Sequence, residues 1–178
     1  MTQSDYIEHT QKWLHSFVIQ YNLCPFAKKP FVQEKIRYRL FAQKDWRTLL
    51  LSLKEELLFL TETPRTAVET SIIIVPNMLG DFSDYLDFLE LANDLIFALR
   101  LDGDLQIASF HPDYQFDGNN REDVANYTNR SPFPLFHLLR EESVSEAVDQ
   151  YGDTAVIPLR NIETMKKLGK DFLDKLMF

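Results

Sequence analysis

Between His111 and Arg140 the sequence gathers two of its four histidines and three arginines, Arg121, Arg130 and Arg140. His111 directly follows the apolar run Leu105–Phe110, so it stands where a strand ends. An imidazole titrates near neutrality and can give or take a proton there, which makes His111 a candidate general acid or base. The same ring could instead do no more than satisfy strand or loop carbonyls. Asn129, Arg130 and Ser131 lie just before Pro132. Proline is favoured in a first helical turn and serine at its cap, so this pattern reads as a helix N-terminus beside an arginine, which is an anion site. The plainer alternative is a capping serine and an arginine paired with a nearby acid. His137, Arg140 and Glu141 are spaced by three and four and would share one helical face. On this reading Arg140 is an anion ligand, and its alternative is an exposed ion pair. Tyr114 and Asn129 could orient a substrate or stabilise charge.

Cys24 is the sole cysteine, so an intramolecular disulfide is impossible. It sits between Leu23 and Pro25, just past the first helix. Two readings stand: a packed thiol, as free cysteines often are, or a nucleophile served by His111. A metal site could be drawn from His111, Asp113, His137 and Glu141, but no recognised ligand spacing is present. No metal or cofactor is therefore expected. Gly-rich phosphate loops, G-x-S-x-G and H-E-x-x-H are all absent from the sequence. The basic stretch Lys28, Lys29, Lys35, Arg37 and Arg39 reads as a solvated edge strand protected from aggregation.

These groups must be held by a chain of 178 residues, the size of one domain, expected over 1–178. Its 45% apolar content, with 14 Phe and 7 Tyr, is ample for a packed core. A net charge of −8 disfavours nucleic acid as a partner. The first residues lack the charged and apolar regions of a signal peptide, and no apolar run approaches the ~20 residues that span a bilayer. The expectation is a cytoplasmic protein without a membrane partner; the sequence leaves its oligomeric state open.

Ser4 or Asp5 can cap a first helix that Pro25 stops. Lys28 to Glu34 reads as connection. Lys35 to Phe41 alternates and reads as a strand near a sheet edge with one wet face. Asp45 opens a helix carrying Leu49, Leu53, Leu57 and Leu60 at helical spacing. Ser71 to Val75 is uniformly apolar and β-branched after its serine, as in a strand buried on both faces. Asp81 begins a third helix, and Leu105 to Phe110 is a third strand. Residues 111–131 then form a long polar loop, and loops of that length are usually functional or disordered. Pro132 to Tyr151 reads as helix, broken near Ser143. Thr154 to Ile157 reads as a short fourth strand, and Asn161 as the cap of a last helix. Strands separated by helices usually lie parallel. The expected architecture is α/β, a small, mostly parallel sheet of three or four strands flanked by helices, with an α+β mixed sheet as the alternative. In a parallel sheet, ligands bind beyond the carboxyl ends of the strands, which here carry Asn77 to Asp81 and His111.

The sequence also resembles the bacterial proteins grouped as domain of unknown function 1415. The resemblance rests on Trp13-Leu14 with Asn22-Leu23-Cys24-Pro25-Phe26-Ala27-Lys28, on Phe110-His111-Pro112-Asp113-Tyr114-Gln115-Phe116, on Asn126-Tyr127-Thr128-Asn129-Arg130-Ser131-Pro132, and on His137-Leu138-Leu139-Arg140-Glu141-Glu142. It implies that Cys24, His111, Asn129, Arg130, His137 and Arg140 belong to one signature, and it implies no activity.

Three functional readings follow. The first is an enzyme acting on a small anionic metabolite, with His111 as acid/base, Arg130 and Arg140 binding the anion, and Cys24 a candidate nucleophile. The second is a binding module holding a small anion or a peptide carboxylate without chemistry. The third is a protein–protein adaptor using aromatics near Tyr127 and Phe133. The site reading requires Cys24, His111, Arg130 and Arg140 to converge on one cleft.

Overall fold

Thr2, one turn earlier than expected, caps the first helix: its hydroxyl accepts the Asp5 N–H while the Asp5 carboxylate accepts the Thr2 N–H. In the computed structural model, which describes residues 1–177, this helix α1 spans Gln3–Trp13 and widens into a π-helical segment, Leu14–Ile19. Phe178, the last residue of the expected 1–178 domain, lies outside the described residues. The wider turn brings Leu14, Phe17 and Val18 together into the core despite the polar gap at Thr10 and Gln11. The basic stretch expected to be connection contains a short helix, α2, Lys28–Val32.

Four strands form one sheet: β1 Ile36–Leu40, β2 Thr70–Ile74, β3 Leu105–Phe110 and β4 Leu135–Arg140. Their order is β1-β2-β4-β3. β1 and β2 pair in parallel, while β4 runs against both β2 and β3. The sheet is therefore mixed, as in the alternative, and the mostly parallel arrangement is not found. The first three strands do share a direction, which is what helical crossovers impose. β4 breaks the pattern because it returns through a loop rather than a helix, so it enters the gap between β2 and β3 in the opposite sense.

Helices α3, Trp46–Glu62, and α4, Phe82–Ala98, cover one face of the sheet. Asp45 and Asp81 cap them as expected, accepting the N–H groups of Thr48 and Ser83 at 2.8 Å each. The α3 leucines Leu49, Leu53, Leu57 and Leu60 are wholly buried on this side, each contributing roughly 1.5–3 kcal/mol of apolar burial. One charge joins them. Glu56 accepts the Ser71 hydroxyl at 2.6 Å and Arg37 Nε at 2.8 Å, with Arg39 Nε 3.4 Å away. The arginines of β1 thus face α3 instead of lying on a purely wet face, although β1 is an edge strand.

The opposite face packs Ile72, Ile74 and Leu135 against Phe17 and Tyr127, with Met165 and Leu173 from the C-terminal helices. Those helices are α5, Glu141–Tyr151, α6, Val156–Leu168, and α7, Lys170–Met177. Thr154 to Ile157 is not a strand; it leads into α6, where Pro158 occupies the first turn and needs no N–H partner. Asn161 lies inside α6 and donates to the Leu23 carbonyl at 2.7 Å rather than capping a last helix. Among the described residues no helix is long and apolar enough to cross a membrane.

Candidate functional site

The residues singled out by sequence divide between two environments. His111, Asn129, Arg130 and Tyr114 belong to the loop at the carboxyl end of β3. Cys24, His137 and Arg140 line a separate cavity.

His111 is fully buried. Its Nδ1 accepts the Asp113 N–H at 3.0 Å, so Nε2 carries the proton and donates to the Leu79 carbonyl at 2.9 Å. The ring also packs against Phe82 and Tyr85, with centroids 5.2 and 5.1 Å away. Burial holds its pKa below the ordinary histidine range. Both nitrogens are occupied by backbone groups, so no lone pair remains for a substrate proton. Leu79 has a left-handed backbone, φ 57°, unusual for leucine, and His111 anchors that turn through its carbonyl.

Arg130 is equally committed. Its guanidinium lies 4.3 Å above the Tyr127 ring and donates to the carbonyls of Arg121 at 2.8 Å and Tyr114 at 3.4 Å. Asn129 donates to the Ser109 carbonyl at 3.2 Å. The Tyr114 ring packs between Phe82 and Phe116. Asn126, which opens one of the motifs quoted above, accepts the Phe116 N–H and donates to the Asn120 carbonyl. The long loop is thus a self-bonded scaffold. No helix begins at Pro132: Ser131 donates to the Phe133 carbonyl at 2.6 Å, and the chain enters β4. The expected helix-terminus anion site does not form. Beside this loop lies a polar pocket of about 250 Å³, bordered by Asp81, Ser83, Asp113 and Arg121, in which Arg121 and Asp113 already pair at 2.7 Å.

The larger cavity, about 510 Å³, lies over the sheet toward the starts of β1 and β2, the end opposite to that expected. Ala108, Phe110, His137 and Leu139 form its floor, Leu14 and the Cys24–Ala27 turn one wall, and Val144 and Ala147 of α5 another. Strand alternation places His137 on this face beside Ile72 and Ala108. His137 and Arg140 therefore do not share a helical face. Arg140, the last residue of β4, reaches the sheet end, where one terminal nitrogen donates to the carbonyls of Thr63 at 2.7 Å and Val68 at 3.1 Å. Its Nε is buried with no partner. Nearby, Arg65 grips Glu146 through two bonds of 3.0 and 2.5 Å and approaches Glu142 and Glu69, tying α5 to the segment before β2.

His137 contrasts with His111. The Thr70 hydroxyl has one proton and gives it to the Leu138 carbonyl at 2.5 Å, so toward His137 Nε2, 2.8 Å away, it can only accept. His137 therefore carries its proton on Nε2, and Nδ1 is bare. Nδ1 makes no hydrogen bond within the protein, is not sealed from solvent, and belongs to a ring that lines the cavity. Burial without a charged partner pushes the pKa of His137 down to about 4. Cys24 shares the cavity. Burial raises its thiol pKa, opposed by the N–H groups of Phe26 and Ala27, which face its sulfur, and by Arg160. Its place after the first helix is also the start of the turn into α2, a feature that the proline at 25 obscures. Among the described residues no group of three or more His, Cys, Asp or Glu side chains could hold a metal.

Thr70 and Arg65 escaped the sequence reading. Thr70 carries no local signal, since its role depends on pairing with a strand 67 residues later.

The chain belongs to the family described as protein of unknown function (DUF1415), whose model matches residues 5–175. No curated protein and no solved structure matches it.

Proposed function

We propose that this chain binds a small molecule with an apolar body and an anionic group in the cavity between the sheet and α5. The observation that carries the reading is Arg140 at the cavity wall, whose second terminal nitrogen, Nη1, makes no hydrogen bond within the protein and, unlike Nε, is not sealed from solvent. A guanidinium donor left free at a cavity wall is placed to give an anionic ligand a charge-assisted hydrogen bond. The apolar floor around Ala108, Phe110 and Leu139 suits the rest of the molecule. Arg130, spent on loop carbonyls, takes no part. Small apolar carboxylates and phosphates, titrated calorimetrically and by thermal shift, should stabilise the protein increasingly with concentration. Arg140→Met should weaken the best of them roughly ten-fold or more, the worth of a charge-assisted bond. Equal binding by Arg140→Met, or no binding by any member, would sink the reading.

A catalytic version is favoured by one observation: the sole thiol and a histidine with a free ring nitrogen line the same cavity. In that version acid/base chemistry passes from His111 to His137. Incubating the tightest-binding acid with the protein and searching for product by mass spectrometry separates enzyme from binding module.

A further inference from the structure

We infer that the cavity selects an anionic molecule that also bears a hydroxyl or amino N–H, donated to the bare Nδ1 of His137. This deepens the proposed function and rests on it. The argument is one of hydrogen-bond direction. Leu138's carbonyl can only accept, so the Thr70 proton is spent there and the Thr70 oxygen must receive the His137 Nε2 proton. The relay fixes one tautomer and leaves the Nδ1 lone pair of a cavity-lining ring without a protein partner. A ligand acceptor gains nothing from that nitrogen, whereas a ligand donor satisfies it. The low pKa of the ring keeps it an acceptor across the neutral range.

His137 and Arg140 differ in kind as well as place. One offers a lone pair on the cavity floor and the other a free terminal N–H, on Nη1, at its end. Their Cα atoms are separated by three strand steps, roughly 10 Å. The ligand must therefore present its donor and its anion at separated points along an apolar frame. Hydroxy- or amino-substituted aromatic or aliphatic acids have this form, and simple acids lack the second handle.

Two measurements test the inference. Nitrogen-15 NMR of the imidazoles in the full chain at neutral pH should show His137 protonated on Nε2, with a Thr70→Val exchange altering the His137 signals selectively. A His137 proton found on Nδ1 overturns the inference without touching the anion reading. Calorimetry then compares 3-phenylpropanoate with its ortho-, meta- and para-hydroxy derivatives. At least one hydroxylated acid should bind about five-fold tighter than the parent, the net worth of one hydrogen bond. His137→Phe should erase that gain, so that in this variant no hydroxylated acid binds tighter than the parent acid. If the parent binds and no hydroxylated acid improves on it, the inference fails and the proposed function stands. If none of the acids binds, both fall.

Discussion

Replacing His111 by alanine tests where its role lies. The substitution strips the Leu79 carbonyl and the Asp113 N–H of their partners in a fully buried site. Leaving each buried polar group unpaired costs roughly 1–3 kcal/mol, and the ring's packing on Phe82 and Tyr85 is lost as well. Some of that is recovered as the strained Leu79 turn relaxes. The sum is about 4 kcal/mol, which for a chain of this size lowers Tm by about 12 °C. His111→Phe keeps the ring volume and loses only the bonds, so it should cost about 2–3 kcal/mol. Urea unfolding followed by circular dichroism measures both variants, and hydrogen exchange should report loosening of residues 76–81. Ligand binding in the cavity should persist at temperatures where the variants stay folded. A destabilisation below about 1 kcal/mol, coupled with lost turnover or binding, would refute the structural assignment and restore His111 as a functional base.

Two further outcomes follow from the same contacts. Stability should fall as pH drops from about 6.5 toward 4, because the unfolded chain takes up protons that folded His137, with its pKa near 4, refuses. The effect is fully developed near pH 4 at about 3 kcal/mol, His111 adds in the same direction, and His137→Phe should flatten the urea-midpoint profile. A pH-independent midpoint in the parent protein would contradict the burial of both rings. Glu56→Ala should destabilise by about 2–3 kcal/mol, less than a fully buried pair because Arg37 and Arg39 reach solvent. Glu56→Gln should cost less, since an amide still accepts the Ser71 hydroxyl; equal losses in the two variants would count against that bond.

The elements with strong periodicity were legible from the residues. α3 and α4 each carry an apolar stripe and an aspartate cap, and β2 is a continuous apolar run, so one-dimensional pattern and three-dimensional role agree. β4 was not legible. Leu135, Leu138 and Leu139 mimic helical spacing, yet Leu-Phe-His-Leu-Leu is what a strand covered on both faces looks like. Only its pairing with β2 and β3 decides the matter, and pairing is non-local. Misreading that strand moved His137 and Arg140 onto one face and invented a helix terminus at Ser131. For the same reason the sequence grouped these residues differently from the structure. Cys24, His137 and Arg140 meet across a sheet whose order could not be read, while His111 and Arg130 spend their polar atoms on backbone groups invisible in sequence.

The placement of β4 also dictates the order in which this chain can fold during synthesis. β2 and β3 are neighbours of β4 and not of each other, so neither can complete its ladder until residues 135–140 have left the ribosome. Before then, two apolar strands expose unpaired edges flanking an empty slot, and such edges recruit other chains. The long-range β2–β4 pairing raises the contact order, which slows the final closure. A nascent chain stalled before residue 135 is thus the form of this protein most exposed to aggregation, and the one most dependent on chaperone protection.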